Sequence, residues 1–178
     1  MEYPKPVLGF AAFSGTGKTT LLKQLIPMLA ERGVHVSVIK HAHHNFDIDK
    51  PGKDSYELRK AGARQMLVAS GRRWALMTET RDDGDPRLET LINRLDPDGI
   101  DLVLVEGFKH VPFPRIELHR PSLGYALLHP EDSNIIAVAT DAPLETAGLP
   151  TLDLNDVAVV ADFILAWLEE QKENTDRQ

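Results

Sequence analysis

The 178-residue chain contains no cysteine. That absence excludes disulfide staples and thiolate metal sites, and it fits a reducing cytoplasm. No apolar stretch approaches the length that a membrane-crossing helix requires. A basic excess is also missing: 20 Lys and Arg stand against 27 Asp and Glu, for a net charge of −7. This balance argues against a general nucleic-acid or anionic-membrane surface and leaves room only for local basic sites. Neither internal repeats nor a linker can be found, so the length is read as one domain over 1–178, with a frayed tail from about 171. The N-terminus, MEYPKPVLGFAAF, carries a single lysine before its short apolar run. It is expected to be a buried strand, not a signal peptide.

What is present alternates between two periodicities. Val7–Phe13 reads as a strand buried on both faces, as in a parallel sheet. Thr19–Arg32 reads as a helix, with Leu21, Leu22, Leu25, Met28 and Leu29 along one face, an expected kink at Pro27 and a stop at Gly33. Val34–Lys40 is the second strand, and Asp54 or Ser55 is expected to cap a helix running through Ala61. Met66–Ala69 and Trp74–Thr78 form a candidate hairpin around Gly71-Arg72-Arg73. An acidic turn at Asp82–Asp85 precedes a helix over Pro86–Leu95 with proline in its first position. Leu102–Val105, Arg115–Leu118, Ile135–Ala139 and Leu149–Leu152 are the remaining strands. Asn155 or Asp156 caps a last helix reaching about Glu170. Strands alternating with helices predict an α/β fold with a mainly parallel sheet.

Between the first strand and first helix lies AAFSGTGKTT. Strand, glycine turn, Lys-Thr and helix make the layout of a phosphate-binding P-loop, whose general form is Gly, four residues, Gly-Lys and Ser or Thr. Alanine occupies the first glycine's place, at Ala12. That position closes the strand and tolerates a small side chain. Gly15 and Gly17 matter more, since positive φ there lets successive N–H groups converge on a phosphate. The candidate cradle is Ser14-Gly15-Thr16-Gly17-Lys18-Thr19-Thr20. Lys18 is expected to reach the β- and γ-phosphates and Thr19 to place its hydroxyl on Mg²⁺. The competing reading is a glycine turn that merely joins strand to helix.

Other candidates cluster after strands, where open α/β sheets bind ligands. Glu106 ends the apolar run Leu102–Val105 and is followed by Gly107. In P-loop proteins an acid at such a place helps to hold Mg²⁺, and Glu106 is assigned that role, directly, through a water or by orienting an attacking water. His41, His43 and His44 leave the second strand, followed by Asp47, Asp49, Lys53 and Asp54. Three readings compete for this segment: a transition-metal site, contact of Asp49 or Asp54 with phosphate or Mg²⁺, or a solvated loop that orders on binding. Thr140-Asp141 follows Ile135–Ala139. Asp141 there can accept from the guanine N1–H and N2–H₂ edge or simply cap a turn, and the Asn-Lys-x-Asp guanine motif is absent. Arg72 and Arg73 are a candidate phosphate fork or a solvated pair.

Taken together, FSGTGKTTLLKQLIP, IKHAHHNFDIDKPGKDSYELRKAGA, RWALMTET and DLVLVEGFKH resemble the MobB family, the adapter proteins of molybdopterin-guanine dinucleotide biosynthesis. The resemblance implies a homodimeric P-loop protein that binds GTP and Mg²⁺ and hydrolyses GTP slowly, with Lys18 and Glu106 the residues for that weak activity. It also implies association with MobA, the enzyme that attaches GMP to molybdopterin, and contact with molybdopterin itself. On this reading the chain is mainly an adapter rather than an enzyme. Gly15, Gly17, Lys18, Thr19 and Thr20 match the family's phosphate loop, Glu106 and Gly107 its magnesium-side strand end, and Thr140-Asp141 matches loosely. Two other functions remain on the page: a small-molecule kinase of the same fold, and a metal-delivering GTPase using His41, His43 and His44.

Overall fold

The computed structural model describes residues 3–42, 46–80 and 84–176. His43, His44 and Asp82, singled out above, lie outside the described residues. In chain order the elements are β1 (Val7–Ala11), α1 (Lys18–Glu31), β2 (Val36–Lys40), α2 (Asp54–Lys60), β3 (Gln65–Ala69), β4 (Trp74–Thr78), α3 (Leu88–Ile92), β5 (Leu102–Glu106), β6 (Arg115–His119), β7 (Ile135–Thr140), β8 (Thr151–Asp153) and α4 (Val157–Asp176). They divide into two compact units, Met1–His41 with Arg87–Gln178, and Ala42–Pro86.

The larger unit is built on a six-stranded sheet in the order β2-β5-β1-β6-β7-β8, in which every neighbouring pair is parallel. The apolar runs in the sequence are the strands of this sheet, and their alternation decides its two faces. On β5, Leu102 and Leu104 enter one core with the α1 residues Leu21, Leu22, Leu25 and Leu29 and the α4 residues Val160, Ala161, Ile164 and Leu168. Val103 and Val105 point the other way, to Leu88 and Ile92 of α3 and to Phe108 and Phe113. The fold is therefore α/β and three-layered, as the alternation of periodicities predicts.

The elements depart from expectation at their ends. The third helix is shorter than Pro86–Leu95: Arg87 is its extended N-cap and Pro86 lies outside it. Its exit is tightened, with Arg94 N–H donating to Leu91 and Leu95 N–H to Ile92, three residues back. The first residue of α2 is Asp54, but its cap is Lys53, with no side-chain cap bond. For α4 the cap is Asp156, whose Oδ1 accepts from Ala158 N at 3.0 Å. That helix passes Glu170 and ends at Asp176. Gln171, Lys172 and Glu173 are good helix formers, and Lys172 pairs with Glu169 at 2.8 Å. Strand β8 starts later than Leu149, because Leu149 N–H closes a turn onto Thr146 O.

The smaller unit holds α2 and the antiparallel pair β3–β4, in register from Gln65↔Thr78 to Ala69↔Trp74. Its turn is fixed by Ser70, whose N–H donates to Arg73 O at 2.8 Å, while Ser70 Oγ accepts from Arg72 and Arg73 N–H at 3.3 Å each. Among the described residues no helix is long and apolar enough to cross a membrane.

Candidate functional site: the carboxyl edge of the parallel sheet

In the larger unit, the parallel strands send their following segments to the same edge. After β1 comes the loop 12–17, after β5 Gly107, after β6 Arg120, after β7 Asp141, and after β8 Leu154 and Asn155. A topological switch lies at β1, which has β5 on one side and β6 on the other.

The loop has the backbone that the sequence demands. Gly15 and Gly17 take φ of +82° and +103°, a region open to glycine without Cβ strain. Thr16 is buried, and its hydroxyl donates to Phe13 O at 2.9 Å, so it braces the loop from inside. Gly17 is the N-cap of α1, its carbonyl accepting from Leu21 N–H at 2.9 Å. Ser14, Thr19 and Thr20 are exposed at the loop and the first turn of α1. Unpaired N–H groups at that helix end carry partial positive charge and suit an anion.

Glu106 is held beside this loop by register. Parallel pairing puts it next to Phe10 of β1 and Lys40 of β2. Lys18 Nζ stands 3.4 Å from its Oε1, and Lys40 Nζ 3.5 Å from its Oε2. Lys18 and Glu106, the second assigned its role from the loop that carries the first, thus meet. Gly107 follows at φ +100°, with His41 N–H donating to Glu106 O at 2.8 Å. The His41 ring stacks on Phe108 at 4.8 Å. The chain leaving β2 is therefore tied at its root to the strand end that carries the acid.

Sequence reasoning missed Arg120. Its Nε donates to Thr16 O at 3.0 Å, one Nη pairs with Asp141 Oδ2, and the other donates to Asn155 Oδ1 at 3.3 Å. The signal available was positional, an arginine directly after a buried strand on the ligand edge. Asp141 does not cap the turn that follows β7. Thr140 does so: its hydroxyl donates to Ala142 O at 3.3 Å and accepts from Ala142 N–H at 3.4 Å. An open depression of about 330 Å³ lies between Thr140–Pro143 and the residues Thr151–Asp153 and Asn155.

The remaining candidates lie in the smaller unit. Asp49 is gripped by Arg59, with contacts of 2.7 and 3.3 Å, and the same guanidinium reaches Asp47 and Glu79 at 2.6 Å each. Hydrogen bonds from Arg59 hold the Asp49 carboxyl below the usual carboxylate range, against the opposing effect of its burial. Arg72 and Arg73 are exposed at the hairpin tip.

Comparison with known proteins gives one consistent result. The family described as Molybdopterin guanine dinucleotide synthesis protein B matches residues 7–141. The chain is similar to a molybdopterin-guanine dinucleotide biosynthesis adapter protein of Escherichia coli K12, with 54% identity over 93% of this chain and 95% of that one. It is similar to a protein of the same description from Haemophilus influenzae, with 49% identity over 92% of this chain and 89% of the relative. Among solved structures, one titled as the crystal structure of molybdopterin-guanine biosynthesis protein B superposes with a TM-score of 0.71. It is 27% identical, over 90% of this chain and 99% of that one.

Proposed function

Because the chain belongs to the molybdopterin guanine dinucleotide synthesis protein B family, we propose that it is a GTP- and Mg²⁺-binding adapter in the assembly of that dinucleotide. It assists the GMP-transferring enzyme MobA, contacts molybdopterin, works as a homodimer in the cytoplasm and hydrolyses GTP slowly. The observation that carries the nucleotide part is the meeting of Lys18 with Glu106 at 3.4 Å, beside a loop whose Gly15 and Gly17 are left-handed.

The donor set fits a magnesium triphosphate. Backbone N–H groups of 14–20 and the Lys18 ammonium take the phosphates, while the Thr19 hydroxyl and the Glu106 carboxylate serve the metal. When bound, Mg²⁺ neutralises charge on the β- and γ-oxygens. With the ligand bound, Glu106 would serve the cation and Lys18 the phosphates, in place of their contact with each other. Asp141 reads the base. Slow turnover is supported by the sequence, in which no arginine finger or water-orienting glutamine is identifiable; such groups contribute about 10³–10⁵-fold where they occur. Nucleotide occupancy is then a conformational signal, passed to the partner through the chain that leaves β2 at His41.

Calorimetry with GTP and ATP, each with Mg²⁺, tests this directly. The protein binds GTP in preference to ATP, and Lys18→Ala weakens GTP about tenfold or more, since it deletes a charge-assisted contact worth roughly 1.5–3 kcal/mol. Unaltered affinity in Lys18→Ala would remove the phosphate assignment. Equal affinity for MobA with and without GTP would remove the switch.

A further inference from the structure

We propose that Arg120 is the positioning residue that gives the base end of this site its guanine specificity, by fixing the orientation of both Asp141 and Asn155. The inference rests on the nucleotide reading above. Arg120 leaves the sheet directly after β6, with an extended backbone at φ −121°. From the middle of the edge its guanidinium reaches the loops after β1, β7 and β8: Thr16 O, Asp141 Oδ2 and Asn155 Oδ1. A planar group with donors in a rigid fork can impose such an arrangement, whereas an ammonium cannot.

Each contact sets a polarity. Arg120 takes one Asp141 oxygen and so restricts the carboxylate's rotation, which leaves the second oxygen as an acceptor. Asn155 gives its carbonyl oxygen to Arg120, so its NH₂ group is turned outward as a donor. Asp141 and Asn155 line the same open depression, and Thr140 and Asp153 pair across β7 and β8 beneath it. An acceptor beside a donor matches the guanine edge, whose N1–H and N2–H₂ donate and whose O6 accepts. Adenine presents the reverse, an N1 acceptor and an N6–H₂ donor, and would place like against like. Discrimination therefore comes from two side chains aimed by a third, with no Asn-Lys-x-Asp sequence, and Arg120 also ties that choice to the phosphate loop at Thr16.

The test is calorimetry on the full chain with Mg·GTP, Mg·ITP and Mg·ATP, for the wild type, Arg120→Gln, Arg120→Lys and Asn155→Ala. The wild type ranks GTP over ITP over ATP. Arg120→Gln lowers the GTP-to-ATP preference about tenfold while ATP affinity stays within about threefold. Arg120→Lys recovers only part of the preference. Asn155→Ala lowers the preference in the same direction, and because it leaves the Arg120 contacts to Thr16 and Asp141 in place, it answers the question even where Arg120→Gln does not fold. A preference unchanged in the variants, or an equal loss for GTP and ATP, overturns the role of Arg120 and leaves triphosphate binding intact. A wild type that binds none of the three overturns the nucleotide reading itself.

Discussion

A methyl group on Gly107 would stand 2.6 Å from His41 Cβ, at a position whose φ is +100°. Gly33, which ends α1, also has positive φ, at +79°, but a methyl there meets nothing within 4 Å. The pair separates conformational strain from steric conflict. Gly33→Ala carries the left-handed penalty alone, about 1–2 kcal/mol. Gly107→Ala adds a collision with a residue whose backbone is bonded to Glu106 O and whose ring is stacked on Phe108, so its cost is at least about 3 kcal/mol. Urea midpoints measure both. The expected result is a shift for Gly107→Ala at least about twice that for Gly33→Ala, accompanied by loss of Mg²⁺-dependent GTP binding only in the former. Similar midpoints would mean that the His41 contact relaxes freely. At this scale the sequence was informative where backbone chemistry is local: the positive φ expected at Gly15 and Gly17 is the one they take. It was silent on Arg120, because an arginine's partners here come from three separate loops that only the sheet order brings together.

The segment 46–80 gathers its charges on Arg59, which donates to Asp47, Asp49 and Glu79 and is itself buried. Leading that set is the Asp49 contact, which lowers the Asp49 pKa. A carboxyl lowered on folding stabilises the unit fully above its unfolded value, about 3.9, and the contribution is lost as pH falls through the lower folded value. Hydrogen exchange of this segment, corrected for intrinsic rates, therefore stays protected from neutral pH to about 4 and opens below. In Arg59→Met protection falls about tenfold or more already at pH 7, because the buried carboxylate loses its partner. Retained protection in that variant would show that α2 and the hairpin hold without the cluster. Much of this element level can be read in one dimension. The hairpin follows from two short apolar runs on either side of Gly71-Arg72-Arg73, and most strands of the parallel sheet from continuous apolar runs. What could not be read is where Asp49 points, since the same Asp-x-Asp spacing serves a ligand or an arginine ten residues on. Strand β6 was the faintest because Arg115, Glu117 and His119 interrupt its apolar pattern, yet all three are buried. Glu117 accepts from Leu128 and His129 N–H at 2.7 and 2.9 Å, and Arg115 holds Asp132 and Phe108 O, each at 2.9 Å. A strand that organises loops with one face looks polar in sequence.

At the scale of the whole molecule, the proposed homodimer has a candidate contact surface in the hairpin β3–β4. A two-stranded sheet is marginal on its own, and this one pairs with no other strand among the described residues. Leu67 and Leu76 lie opposite each other on one face, next to Ala69 and Trp74. They are 57%, 47% and, for Trp74, 68% exposed. A self-complementary apolar patch of this kind is covered twice over by a two-fold contact with a second copy, which also offers the same unpaired strand edge in return. The double variant Leu67→Lys with Leu76→Glu tests this without unravelling the hairpin, because the opposite charges face each other across the strands and replace one favourable pair with another. Net charge is unchanged. Sedimentation equilibrium at tens of micromolar should give a dimer for the wild type and a monomer for the variant, with far-UV circular dichroism the same for both. GTP affinity, which the proposal assigns to the carboxyl edge of the other sheet, should stay within about threefold. A variant that remains dimeric would place the contact between copies elsewhere, and a wild type that is monomeric under these conditions would remove the dimer from the proposal altogether.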